Sequence, residues 1–410
     1  MKGILIILSL IVWVPISGLA QDPSQLFQVA REANPELKAI NQAYYAAREK
    51  APQVSQLPDP RVGLGLFILP VETRLGSQRI AVNALQVLPW FGTLRAKEDW
   101  ANSKAREQYQ QLAIKELDVL HGIKLNYYEL YRLKATRSIL EDHARLFQTL
   151  KSLTETSVSI GDASLADVLR VEIKLKAIQQ KLNILPVKER KYLAQLNYIL
   201  NRPPGSLVSV QDSLPFASLL TKKDTLLAHI RDNHPLIRLY ELQQESARKA
   251  IAINDKAGKP AFGIGGTYAL INPRTDANPQ FNGRDIFQVQ GSLSIPLNRK
   301  VYQAKEREEH FKIEMLENMK EASITSFMAL VEGAYSDHEQ AVLDYQLYEE
   351  QITLLRTTIT ILETDYSNQG ADFGELLRLK SDLLDKQLMQ LDAIARSYIA
   401  QANLERFLIY

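Results

Sequence analysis

The chain has 410 residues, of which 46% are hydrophobic and 23% are charged, so extensive disorder is not expected. Its 49 Lys and Arg residues nearly balance 47 Asp and Glu residues, and the formal charge of +2 gives no electrostatic basis for binding nucleic acid. Cysteine is absent and none of the six histidines forms a pair with metal-ligand spacing, so disulfides, thiolate chemistry and a zinc site are not expected. The sequence predicts no enzyme, no cofactor and no metal site.

The first 20 residues have the pattern of an export signal. Lys2 precedes a short apolar run from Ile4 to Val14, and Gly18-Leu19-Ala20 is a small-x-Ala cleavage site. We expect cleavage before Gln21. No later stretch reaches the ~20 apolar residues of a transmembrane helix, so any membrane crossing by the mature chain is expected to use strands.

A helix is expected from about 24 to 51, and a segment with a two-residue period follows at 58–90. Apolar residues there alternate with small or polar ones, which is typical of strands that face lipid on one side. The apolar positions of the first strand are Val62, Leu64, Leu66 and Ile68. Residues 79–88 are expected to form the returning strand, although Leu85 and Val87 fall out of phase.

Residues 93–201 contain only two glycines and one proline, which predicts long helices. Ile139, Leu146 and Leu153 lie seven positions apart with Leu150 between them, which is the spacing of a coiled-coil seam. A helix from about Leu94 to Ser157 would be ~100 Å long at ~1.5 Å per residue. After a turn at Gly161, a shorter helix is expected to return over 164–201.

The second half predicts the same order of elements. Strand-like alternation recurs at 260–296, a second long helix is expected from about Val301 to Tyr366, and a turn follows at Gly370. In the last strand apolar residues alternate with polar residues, so the two kinds are expected on opposite faces. The polar residues are Gln288, Gln290, Ser292 and Ser294.

Matching motifs indicate that the chain is a tandem duplication. Pro60-Arg-Val-Gly63-Leu-Gly65 recurs 200 residues later as Pro260-Ala-Phe-Gly263-Ile-Gly265. Gly161 followed by Val168-Leu169-Arg170 recurs as Gly370 followed by Leu376-Leu377-Arg378. Both motifs keep their position relative to the predicted strands and helices, so each half is expected to repeat one structural plan.

The expected domain boundaries follow from this duplication. The first repeat covers 21–201 and contains a β-hairpin at 60–88, and residues 202–222 form a linker. The second repeat covers 223–410 and contains a β-hairpin at 260–296. Each repeat is predicted to run helix, hairpin, long helix, shorter helix.

Four strands are too few to close a barrel, and lipid does not tolerate open sheet edges. Closure therefore requires several copies of the chain. Two copies would supply eight strands, whose interior is filled by side chains, whereas three copies would supply twelve and leave a lumen. The polar faces of the strands favour a watery interior, so we expect a homotrimer.

These motifs, in this order along the chain, resemble those of a known family, the TolC-like outer-membrane efflux proteins. The resemblance covers the mature chain and includes Leu57-Pro58-Asp59-Pro60 before the first strand and Leu88-Pro89-Trp90-Phe91-Gly92 after the second. The tandem halves and the turns at Gly161 and Gly370 complete it. The form of residues 88–92 is most similar to members associated with heavy-metal efflux.

The resemblance implies a mainly α-helical fold with a small β part. Long coiled-coil helices would form an α-barrel tunnel through the periplasm, and a trimeric 12-stranded β-barrel would lie in outer-membrane lipid. The implied function is a passive exit duct that receives substrates from an inner-membrane pump, often of the resistance-nodulation-division type, through a periplasmic adaptor. Metals, drugs and proteins all remain open as substrates. The alternative is a periplasmic adaptor or coiled-coil scaffold that never enters a membrane.

The resemblance also implies working residues at the periplasmic tip. Asp167 and Glu375 match acidic residues that line the closed aperture in the family, where three like carboxylates would attract cations. Arg170 and Arg378 stand where the family can carry a second acid, so they are expected to modify the charge of the aperture.

Two further expectations concern the same tip. Both acids also fit a capping box, with Ser164 three residues before Asp167 and Asp372 three residues before Glu375, so capping and aperture roles are both open. Gly161 and Gly370 are expected to adopt left-handed conformations at the turns, where the family touches its adaptor.

The last set of candidate residues lies where strands meet helices. These residues are Pro89, Trp90, Phe91, Gly92 and Pro296. The aromatic pair fits either an interfacial belt at the barrel–tunnel junction or ordinary core packing.

Overall fold

A computed structural model of the chain describes residues 21–161, 163–219, 221–367 and 373–408. The expected signal peptide at 1–20 lies outside the described residues. In chain order the elements are α1 (Pro23–Ala33), α2 (Pro35–Arg48), α3 (Lys50–Val54), β1 (Arg61–Thr73), β2 (Gly76–Leu88), α4 (Thr93–Ser159), α5 (Leu165–Ile199), α6 (Lys223–Asn233), α7 (Pro235–Ala257), β3 (Ala261–Asn272), β4 (Ile286–Ser294), α8 (Arg299–Ser367) and α9 (Phe373–Glu405).

The two long helices predicted from the scarcity of Gly and Pro are confirmed. α4 has 67 residues and α8 has 69, so each is ~100 Å long. The helix expected over 24–51 is instead divided, because Pro35 cannot continue the hydrogen bonding of α1 and begins α2 in its place. The corresponding break in the second half is at Pro235, where the His234 ring nitrogen Nδ1 accepts a hydrogen bond from the Leu236 amide at 3.2 Å.

The chain divides into two compact units, and each unit draws on both sequence halves. One consists of Met1–Pro35, Lys115–His229 and Met328–Tyr410, and the other of Glu36–Ile114 and Ile230–Phe327. The first unit contains the turn between α4 and α5, and the second contains the sheet.

The sheet is an antiparallel meander in the order β1-β2-β3-β4. Its register places side chains of the same character in rows across all four strands. One row crosses Leu64, Val82, Tyr268 and Phe287, and the neighbouring row, on the opposite face, crosses Gly63, Asn83, Thr267 and Gln288. The alternation read from the sequence therefore separates an apolar face from a polar or small one.

Leu85, which falls out of phase in the sequence, lies on the small-residue face for a packing reason. A Cβ atom added at Gly263 or Gly265 would lie 3.2 Å from Leu85 Cδ1, so the side chain occupies space that these glycines leave free. The irregular alternation of β2 thus reflects cross-strand packing rather than a loss of strand structure.

The first unit is held together by a coiled-coil core near the turn between α4 and α5. Three helices contribute buried apolar residues seven positions apart. They are Leu133, Leu140 and Phe147 from α4, Val171, Ile178 and Leu185 from α5, and Leu377 and Leu384 from α9. Heptad packing is present in this core, but the α4 seam runs through residues 133, 140 and 147, and the predicted seam residue Leu153 is 60% exposed. Truncating one of the buried leucines to alanine costs about 2–5 kcal/mol.

A buried histidine interrupts this apolar core. His143 Nε2 lies 2.7 Å from the Gln387 side-chain oxygen, and its Nδ1 is buried with no hydrogen-bond partner among the described residues. Burial lowers the pKa of His143 below its ordinary value of 6.5, although the Gln387 hydrogen bond opposes this shift. Asp142, Lys380 and Asp385 also act electrostatically on the ring.

We predict that His143 makes the first unit less stable in acid. Because its folded pKa is depressed, stability is complete above about pH 6.5, where both states are neutral, and falls below it as the unfolded state takes up the proton first. Thermal unfolding at about pH 8 and about pH 5 should therefore differ less in H143Q than in the wild type. The exposed His310 supplies the control H310Q, and equal pH dependence in both variants would contradict the prediction.

Candidate functional site

The apolar face of the sheet is open to its surroundings. Its side chains include Val62, Ile68 and Phe287, which are 72%, 93% and 70% exposed. Exposed apolar side chains form rows on all four strands, which is far more than the scattered leucines of an ordinary protein surface. Such a contiguous face indicates contact with another apolar medium or partner.

The sheet also has two unfinished edges. Among the described strands, β1 pairs only with β2 and β4 pairs only with β3, so each edge presents unpaired backbone amides and carbonyls. Pro70 lies within β1, where the β1–β2 register shifts between Leu66 and Val71. Proline is compatible with an edge strand at such an irregularity.

The aromatic residues predicted at the strand–helix junction come together with Phe262. The ring centroid of Trp90 lies 6.0 Å from those of Phe91 and Phe262, and Phe91 remains 78% exposed. Gly92 has a φ of +80°, so the chain turns there before α4 begins. Pro296 follows β4, as Pro89 follows β2.

The first tip turn has the predicted left-handed glycine. Gly161 has a φ of +87°, and its amide donates to the Val158 carbonyl at 3.2 Å. α5 then begins with a complete capping box, in which Asp167 Oδ2 accepts a hydrogen bond from the Ser164 amide at 3.3 Å. The other carboxylate oxygen of Asp167 accepts one from Arg170 at 2.8 Å, so this side chain is fully engaged.

The second tip turn is described only from Phe373 onward. Gly370 and Asp372 lie outside the described residues, so the predicted glycine conformation and the second capping box are not covered. Glu375 lies 3.6 Å from Arg378, which also lies 3.7 Å from Asp382, and the Glu375 side chain is 51% exposed. These contacts are longer than hydrogen bonds, so Glu375 is held less tightly than Asp167.

The structure brings the two tip motifs together in one cleft. Arg170 of α5 and Arg378 of α9 both line it, together with four residues that the sequence analysis did not single out. These residues are Ile173, Lys174, Gly374 and Leu377. A periodicity plot of α5 would have marked Lys174, because it lies one turn after Arg170. The N-terminal ends of α5 and α9 therefore lie side by side, at a similar level along the two helix axes.

A second feature missed by the sequence analysis is a buried lysine. Lys380 is 4% exposed and pairs with Glu363 at 2.5 Å, which ties α9 to α8. A lysine is rarely buried unless it is paired with an acid. The Lys380–Glu363 ion pair is therefore needed wherever α9 packs against α8 in this register.

Within the described residues no group of three His, Asp or Glu side chains is arranged to hold a metal ion. None of the helices in the described ranges combines the length and the apolar character needed to cross a bilayer.

Among the solved structures that resemble the chain over almost its whole length are those of three membrane proteins. Structures of CusC, studied for folding and transmembrane channel formation, have a TM-score of 0.75 and 14% identity, covering 95% of this chain and 92% of that chain. The outer-membrane channel OprN has a TM-score of 0.73 and 17% identity, covering 94% and 89%. The outer membrane protein VceC from Vibrio cholerae has a TM-score of 0.72 and 14% identity, covering 94% and 95%.

These three membrane proteins share the fold that the resemblance to the TolC-like family implies. The chain has the TolC-like fold. The predicted class, mainly α with a small β part, is confirmed, and with identities of 14 to 17% the likeness establishes the fold. No protein-family model and no curated protein sequence matches the chain.

We predict that Asp167 acts as a cap. D167A should lose about 1 kcal/mol of stability because the hydrogen bonds that Asp167 accepts from the Ser164 amide and from Arg170 disappear, whereas D167N keeps an acceptor and should stay close to the wild type. Thermal unfolding of both variants measures this. If the chain forms a channel, as proposed below, neither variant should alter its block by divalent cations, whereas E375Q should weaken the block. An altered block in D167N with unchanged stability would instead assign an aperture charge to Asp167.

Proposed function

We propose that the chain is the outer-membrane channel of a tripartite efflux system. Three copies would pool their strands into a 12-stranded barrel and their helices into a tunnel through the periplasm. The channel would be a passive exit duct, with energy supplied by an inner-membrane pump and with a periplasmic adaptor between the two. The proposal includes no catalysis and no cofactor.

One observation carries this proposal: an apolar, exposed sheet face is combined with two unpaired edges. An apolar face alone could pack against a protein partner, and an open edge alone could be left in water. Lipid accommodates the apolar face, but it requires that every backbone amide and carbonyl be paired. Pairing β4 of one copy with β1 of the next would meet both conditions.

The opposite face of the sheet supports an aqueous interior. Gly63, Asn83, Thr267 and Gln288 form a row of small or polar side chains, which is the composition of a water-filled lumen. In the proposed barrel Trp90 and Phe91 would lie at the lipid–water boundary, where aromatic side chains are favoured.

The finer parts of the proposal rest on the sequence resemblance. A pump of the resistance-nodulation-division type is the expected partner, and the form of residues 88–92 favours heavy-metal cations as substrates. The tip turns at Gly161 and Gly370 are the expected adaptor contacts, and Glu375 with Arg378 the expected aperture residues. The repeats at 21–201 and 223–410 would then each supply one hairpin to the barrel.

The alternative, an adaptor or scaffold without membrane insertion, leaves the sheet unexplained. Such a protein would hold the apolar side chains of all four strands in water. At ~25 cal/mol per Å² of apolar surface, their transfer into lipid is strongly favourable.

Two neighbouring residues of β4 provide a matched test, because Val289 and Gln290 point to opposite faces. V289E puts a carboxylate on the lipid side, at a cost of about 1–3 kcal/mol, and should reduce the amount of chain in the outer-membrane fraction severalfold. Q290E puts the same charge into the lumen and should insert normally, with altered ion selectivity in planar bilayers.

Equal behaviour of the two variants would contradict membrane insertion. If both were recovered in soluble form, without channels in planar bilayers, the scaffold alternative would replace the proposed function.

A further inference from the structure

All four strands meet helices at the same end of the sheet. Leu88, at the end of β2, pairs with Phe262. Ala261, at the start of β3, pairs with Ser294, at the end of β4, and β1 begins at Arg61 on the same side. The junction consists of the ten residues next to each strand at this end, which are 51–60, 89–98, 251–260 and 295–304. All of them lie in one of the two compact units.

The junction carries an excess of positive charge. It contains six basic residues and three acidic ones, Asp59, Glu98 and Asp255. The basic residues are Arg95, Lys97, Lys256, Lys259, Arg299 and Lys300. Of these six, Lys259 alone has an ion-pair partner in the part of the chain that the structure describes, Asp255 at 3.7 Å. Five cations of the junction are therefore free to attract an anion from outside the chain.

The opposite end of the sheet lacks such an excess. Its two connections, 74–75 and 273–285, contain three basic and two acidic residues, and Arg274 pairs with Asp276 at 2.6 Å. A bilayer around the sheet would thus meet most of the free positive charge at one leaflet, the one nearer to the helices.

One junction cation lies beside an aromatic cluster. The rings of Trp90 and Phe262 are stacked, with centroids 6.0 Å apart and planes 20° from parallel. A Cβ atom added at Gly92 would lie 4.0 Å from Lys256 Cε, so the lysine side chain reaches the turn that carries Trp90 and Phe91. Aromatic rings are favoured where hydrocarbon meets headgroups, and a lysine at the same level can pair with a headgroup phosphate.

A second cation is fixed to the same loop. The Arg299 guanidinium donates a hydrogen bond to the Gly258 carbonyl at 3.1 Å, and Gly258 follows Lys256 by two residues. This bond uses one of the five N–H groups of the guanidinium, so the others can reach an acceptor outside the chain. The planar guanidinium matches the oxygens of a phosphate, to which it can donate two parallel hydrogen bonds.

Apolar side chains continue from the sheet to these cations. Leu293, near the end of β4, is 54% exposed, and Leu297, two residues before Arg299, is 86% exposed. An occupant that combines an acyl chain with a negatively charged phosphate would cover the leucines and pair with the cations at the same time. A free phosphate ion would leave the leucines uncovered.

We propose that Lys256 and Arg299 bind the phosphate of an anionic phospholipid whose acyl chains lie along the apolar face of the sheet next to Phe262. The inference rests on the proposed function, because it requires this face to be in lipid. A headgroup with a net negative charge is preferred over a zwitterionic one, since the free cations repel an ammonium group.

Tryptophan fluorescence tests the inference on the mature chain, because Trp90 lies beside the site. With Trp13 removed in the expected signal peptide, W100F leaves Trp90 as the single tryptophan. The chain is reconstituted into vesicles that contain brominated phosphatidylglycerol or brominated phosphatidylethanolamine at equal mole fractions. Bromine quenches tryptophan on contact. The anionic lipid should be preferred at Trp90 at least about fivefold, the factor expected from one basic residue near a membrane surface.

Charge removal at the two ends of the sheet gives matched variants in the same background. K256Q/R299Q should abolish the preference, so that both lipids quench equally. R74Q/R284Q removes the same charge at the hairpin end, far from Trp90, and should keep the preference. Quenching by brominated phosphatidylethanolamine shows that each variant has inserted.

Inorganic phosphate distinguishes a lipid site from a site for the free ion. Added at constant ionic strength, it should leave the preference unchanged, because a lipid is also held by its acyl chains. Higher ionic strength should weaken the preference, since the attraction is screened by salt.

Three results would overturn the inference. The first is equal quenching by the two lipids in the W100F chain, and the second is the same preference in K256Q/R299Q and R74Q/R284Q. The third is loss of the preference in inorganic phosphate, which would assign the cations to the free ion. In each case quenching by lipid would still leave the proposed function in place. If neither lipid quenches Trp90, the chain is not inserted and the proposed function fails as well.

Discussion

The backbone hydrogen bonds at the two edges of the sheet are the constraint on which the rest depends. A sheet of four strands cannot satisfy them by curling onto itself, and the lipid proposed around its apolar face would exclude the water that could otherwise satisfy them. Only further strands can pair these edges without exposing the apolar face. The demand for several copies therefore follows from the size of the sheet, before any family resemblance is considered.

Much of this fold could be predicted from the sequence because its determinants are local. Long helices follow from the missing glycines and prolines, and Val62 to Ile68 set the faces of β1 through a two-residue period. Leu85 could not be predicted in the same way, since the space that it fills is created by glycines on β3. The prediction of one helix over 24–51 was wrong, because it rested on the helical composition of the whole segment. In the structure Pro35 ends one helix and begins the next.

The candidate sites were less accessible to sequence reasoning. As a sequence motif Asp167 fits both a cap and an aperture residue, and its two hydrogen bonds, from the Ser164 amide and from Arg170, favour the cap. The buried Lys380 and the cleft that joins α5 to α9 depend on how distant segments pack, which no spacing along the chain reveals.

Hydrogen–deuterium exchange of the chain assembled in lipid bilayers tests the central claim most directly. If copies share one closed barrel, the outward-facing amides of β1 and β4 should be protected as strongly as those of β2 and β3, because all are hydrogen-bonded and shielded from water. Rapid exchange confined to β1 and β4 would mean that the edges stay open, and it would contradict a barrel shared between copies.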